Sequence, residues 1–148
     1  MLPISLDERH NNSVDPDLRG TAVFEKLLPL ARTHNLRIVS VYRRGYPPSN
    51  GFKEDELKGL GSGKKIEDVE PFYRSQGTEI ATFLVKFAVE QGIPLRHSNT
   101  PTGGIVLIGW SVGGIHVLTV LAYADELPAD TRSTLQNYLH TILSHGET

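Results

Sequence analysis

Ile105-Val106-Leu107-Ile108-Gly109-Trp110-Ser111-Val112-Gly113-Gly114 is the stretch that decides the fold. Four consecutive apolar residues, three of them β-branched, predict a short strand buried on both faces, as in a parallel sheet. The glycine-rich run after them predicts a sharp turn over residues 109–114. A helix then follows to about Glu126. Residues 109–113 form a G-x-S-x-G pentapeptide, and its position between strand and helix gives the pattern its specificity. A serine on such a turn is lifted above the sheet. Gly109 and Gly113 are the small neighbours that let the backbones approach, and Gly114 adds room. The Val112 backbone N–H lies at the helix N-terminus, where it can stabilise an oxyanion. Ser111 is thus a candidate nucleophile. A plain glycine-rich turn with a surface serine is the alternative reading of the same residues.

Working toward the N-terminus, residues 95–104 read as a loop. A helix is expected over residues 71–91, with Ile80, Leu84, Phe87 and Ala88 on its apolar face and Gly92 and Pro94 as its stop. Residues 43–69, rich in glycine and proline, read as one long loop. Within it Gly59-Leu60-Gly61-Ser62-Gly63-Lys64-Lys65 fails the phosphate-loop spacing and has no strand before it. Arg43-Arg44 reads as a solvent-facing pair in preference to an anion contact. Residues 36–42, nearly all apolar, predict a second buried parallel strand. A helix is expected from Thr21, divided at Pro29 and closed by His34-Asn35. Residues 1–20 are polar and irregular, with Ile4-Ser5-Leu6 as a strand stub at most. Toward the C-terminus, Asp130 reads as the cap of a last helix with Leu135, Tyr138, Leu139, Ile142 and Leu143 on one side, ended by Gly146.

On these residues the chain resembles the α/β-hydrolase family. Thr21-Ala22-Val23-Phe24-Glu25-Lys26-Leu27-Leu28-Pro29-Leu30-Ala31 looks like the family's first helix. Residues 37–42 with Arg43-Arg44-Gly45-Tyr46-Pro47-Pro48-Ser49 look like its fourth strand and the loop after it. Residues 78–90 are similar to the helix before the nucleophile elbow. The resemblance implies a serine hydrolase cleaving carboxylic ester or related acyl bonds, with Ser111 as nucleophile and the Val112 N–H in the oxyanion hole. The fold expected is α/β: a partial α/β-hydrolase-type three-layer arrangement, a short parallel sheet with flanking helices, over residues 21–148.

The chain departs from the family in three respects. No His-Gly loop after an apolar strand precedes residue 21, so the second oxyanion donor is unassigned. The strand that the family sets between its fourth and fifth has no counterpart. No strand is expected after Ser111, so the base and the acid of the triad are unassigned too. Asp125 lies about 21 Å along the helix at 1.5 Å rise per residue. His116 faces away from Ser111 on the same helix. His97 sits in the loop before the strand, and His140 and His145 reach Ser111 only if the last helix runs antiparallel. A truncated member of the family is the expectation, with doubtful activity. A non-catalytic α/β binding module is the alternative.

Composition narrows the classes. Fifteen Lys+Arg against seventeen Asp+Glu leave a net charge of −2, with no basic excess to neutralise a nucleic acid. The absence of cysteine removes disulfides and thiol nucleophiles. No His/Asp/Glu cluster has metal-ligand spacing, and no cofactor is expected. No run is long enough for a membrane span and the N-terminus lacks a signal-peptide pattern, so a soluble cytoplasmic protein is expected. The expected partners are a small acyl substrate and, through exposed sheet edges, a second copy of the chain.

Overall fold

The computed structural model describes residues 2–5, 26–46, 49–62, 65–100 and 102–146. In chain order the elements are β1 (Leu2–Ser5), α1 (Leu28–Thr33), β2 (Val39–Tyr42), α2 (Glu54–Ser62), α3 (Ile66–Glu90), β3 (Ile105–Trp110), α4 (Val112–Ala122), a 3-10 turn (Ala124–Glu126), α5 (Ala129–Gln136) and β4 (Leu139–His145). They form a mixed α/β protein in two compact units, Met1–Lys53 and Glu54–Thr148. The boundary expected at residue 20 lies outside the described residues, as do residues 21–25 at the start of the first expected helix.

In the Met1–Lys53 unit, Pro29 stands in the first turn of α1, where its missing N–H costs nothing. His34 and Asn35 close it as expected: Asn35 takes φ +52°, and the Leu36 N–H donates to the Ala31 carbonyl at 2.8 Å. β2 corrects the expectation of a buried parallel strand. It pairs antiparallel with β1, Leu2 opposite Tyr42 and Ser5 opposite Val39. Its burial alternates, with Ser40 and Tyr42 inside and Val41 exposed. That alternation is typical of an antiparallel strand with one solvated face. β1 begins two residues before the expected Ile4–Leu6 stub. In the following loop the Arg43 guanidinium lies 4.6 Å from the Tyr46 ring centroid, and that of Arg44 lies 4.7 Å from Phe52. Both arginines are half-buried on rings of their own loop, which corrects the solvent-facing reading.

In the Glu54–Thr148 unit the long loop expected over residues 43–69 is interrupted by α2. Glu54, Asp55 and Glu56 in its first turn suit a helix N-terminus. α3 starts five residues earlier than expected, with Pro71 inside its first turns. Ile80, Leu84 and Ala88 are buried, Phe87 half-buried. Gly92, at φ +59°, follows its cap, and the Ile93 N–H donates to the Ala88 carbonyl at 2.9 Å. Arg74 ties α3 to the 3-10 turn: one guanidinium nitrogen is 2.8 Å from Glu70 and the other 2.9 Å from Glu126. The hydrogen bond to Glu70, then the charge of Glu126, holds its pKa above the ordinary arginine value.

The largest correction concerns the C-terminus. Residues 139–145 form β4, a strand parallel to β3, not the second half of a helix. The last helix ends at Gln136. Asp130 lies inside its first turn, where its carboxylate accepts the Thr131 N–H at 2.7 Å; Pro128 holds the cap position. β4 carries one extra residue, since Leu139 pairs with Ile105 but Thr141 pairs with Val106. His140 is the unpaired residue of this bulge.

The three-layer expectation is also revised in this unit. The order is sheet, then α4, then α3, with α2 and α5 packed on α3. Leu107 and Gly109 turn toward α4. Val106, Ile108 and Trp110 stand on the other face and are exposed by 49%, 46% and 43%. The apolar run of β3 therefore does not mark burial on both faces. Among the described residues, no helix is long and apolar enough to cross a membrane.

Candidate active site

Ser111 joins the last residue of β3 to the first of α4 with φ +52° and ψ −128°. Its φ lies where residues with a side chain are uncommon, and glycine dominates turns that need such a conformation. Three features force it. The Ser111 N–H donates to the His145 carbonyl at 2.7 Å, extending the β3–β4 ladder by one residue. The Ser111 carbonyl accepts the Gly114 N–H at 2.8 Å, closing the first turn of α4. And α4 folds straight back onto the strand it leaves.

The glycines divide this work unequally. A methyl at Gly109 would strike the Gly113 carbonyl oxygen and stand 2.6 Å from a Val117 methyl. A methyl at Gly114 would strike the Ser144 hydroxyl. Gly113 itself has open space where its side chain would be, so its smallness is not what allows the approach. That corrects the expectation that positions 109 and 113 carry the close contact jointly. The Gly113 backbone occupies the place a side chain at position 109 would need.

Val112, as the first residue of α4, presents its N–H at the positive end of the helix, beyond reach of an intrahelical acceptor. The turn thus sets a hydroxyl beside a backbone donor suited to negative charge. This is the arrangement an acyl-transfer site uses for nucleophile and oxyanion.

The candidate bases are distributed along the unit. His116 is buried, its ring 6.2 Å from that of Phe72 and 5.9 Å from that of Tyr73, so it belongs to the α3–α4 packing. The His97 N–H donates to the Thr102 carbonyl at 3.1 Å in the loop before β3. His140 sits at the amino end of β4. His145 stands directly beside Trp110, their ring centroids 5.2 Å apart and edge-on. Sequence reasoning gave His145 a place on a helix; parallel pairing brings it to the turn. The carboxylates of Asp125 and Asp130 are engaged with Arg132 and with the Thr131 amide. No group of three His, Asp or Glu side chains among the described residues can hold a metal.

No family model, curated protein sequence or solved structure matches this chain.

Proposed function

We propose that the chain is an α/β-hydrolase-type serine hydrolase acting on carboxylic esters or related acyl bonds, with Ser111 as its nucleophile. The observation that carries this reading is the backbone of Ser111: a non-glycine residue in a glycine conformation, placed between a parallel strand and a helix N-terminus. Strain of this kind costs about 1–3 kcal/mol and persists where the surrounding structure imposes it. In the reaction the Ser111 oxygen bonds to the acyl carbon as its proton passes to a base. The Val112 N–H stabilises the tetrahedral oxyanion. The alcohol leaves with a proton, and water then hydrolyses the acyl-enzyme.

The test is a fluorophosphonate probe, which reacts with activated serines. Wild-type protein should be labelled at Ser111, and Ser111→Ala should abolish the signal. A folded wild-type sample that takes no label overturns the reading.

A second reading rests on the exposed face formed by Val106, Ile108 and Trp110 and on the outer edges of the β3–β4 sheet, which no further strand among the described residues pairs. In it the chain is a non-catalytic α/β module that associates with a second copy through those edges. Sedimentation should then show concentration-dependent dimers that Ser111→Ala leaves intact. A monomer at all concentrations removes it.

A further inference from the structure

We infer that His145, at the end of the strand beside the nucleophile, is the general base for Ser111. The inference rests on the reading of Ser111 given above. β3 and β4 are parallel, so Trp110 and His145 end at the same carboxyl edge, and the Ser111 amide is bound to the His145 carbonyl at 2.7 Å. In open parallel sheets that edge is where ligands bind. Adjacent strands lie about 4.8 Å apart, so His145 stands one strand spacing from the turn, a span an imidazole can cover. Its side chain is exposed and rests edge-on against the Trp110 indole.

Placement excludes the other described histidines of this unit. His116 is enclosed between α3 and α4. His140 lies near the amino end of β4, about 16 Å from the turn at 3.3 Å rise per residue, and His97 lies in the loop before β3, at that same end of the sheet. The chemistry asks His145 to leave the Trp110 edge and turn toward the serine hydroxyl. Such catalytic hydrogen bonds are often unformed until substrate binds. The neutral imidazole nitrogen then takes the Ser111 proton as the oxygen–acyl bond forms. It returns that proton to the leaving alkoxide as the carbon–oxygen bond breaks. The same nitrogen takes a proton from the hydrolytic water and gives it to Ser111 as the acyl-enzyme opens.

The experiment compares the rate of fluorophosphonate labelling in wild type, His145→Ala and His145→Gln. Both variants keep the backbone carbonyl that binds Ser111. Labelling should slow by about 100-fold or more in both, with unchanged thermal melts. Free imidazole should restore part of the rate in His145→Ala alone. Wild-type labelling rates in the variants overturn the inference while leaving Ser111 as nucleophile. So does a loss that follows a shifted melt and that imidazole does not lift. Absence of labelling in folded wild type overturns the reading of Ser111 itself, and this inference with it.

Discussion

The amide of Ser111 and the carbonyl of His145 are joined at 2.7 Å, so the strained turn hangs from the strand that follows it in the chain. Residues 112–144 lie between the two partners, and that segment must be in place before the bond can form. The geometry of Ser111 is therefore a tertiary property, although its sequence signal is local.

Substituting the serine separates strain from chemistry. Glycine adopts φ +52° without a β-carbon clash, whereas alanine keeps the clash. Ser111→Gly should exceed Ser111→Ala in stability by about 1 kcal/mol, read from urea unfolding midpoints. Equal midpoints would mean that the turn holds no strain.

The two glycines of the pentapeptide should behave differently. Gly109→Ala drives a methyl into the Gly113 carbonyl oxygen and against Val117. Its expected cost is about 1–3 kcal/mol, together with loss of probe labelling as α4 is pushed from β3. Gly113→Ala enters open space on a helix and should be neutral, or stabilising by up to about 1 kcal/mol. Parallel melts of the two variants check the contrast.

Where α3 crosses α4, a methyl at Gly77 would stand 2.6 Å from the Thr119 carbonyl oxygen. Backbone cannot yield there as a flexible side chain could. Gly77→Ala should destabilise the unit by about 1–3 kcal/mol, measured by denaturant unfolding, even though alanine is the better helix former.

Gln76 beside it is 3% exposed, and its amide nitrogen has no hydrogen-bond partner among the described residues. An unpaired buried polar group costs about 1–3 kcal/mol. Gln76→Leu, close to it in volume, should therefore raise the melting temperature. A lower one would show that the amide contributes through its oxygen.

The parts legible in the sequence were those with local causes. The apolar run 105–108, the glycines after it and the caps at Asn35 and Gly92 act over a few residues, and each reappears in the structure. β4 was not legible. Leu135, Tyr138, Leu139, Ile142 and Leu143 fit a helical stripe, and no glycine or proline separates α5 from β4. What makes residues 139–145 a strand is their pairing with β3, more than thirty residues earlier, and the bulge hides their alternation. The direction of β2 was hidden for the same reason, since its partner is at the start of the chain. At the site, Ser111, Val112 and the glycines could be read directly. The position of His145 could not, because it follows from β4.

The unpaired residue His140 acts as a spacer one residue long. Counted straight from Leu139 opposite Ile105, Leu143 would fall opposite Gly109 and turn its branched side chain toward Gly114. With the extra residue, Ser144 takes that place, and its hydroxyl already fills the room a methyl at Gly114 would need. A one-residue slip of this kind changes which side chains occupy each face. The irregularity at the far end of the strand thus works as a gauge: it sets how bulky a residue arrives beneath the helix, and with that whether the serine turn can close.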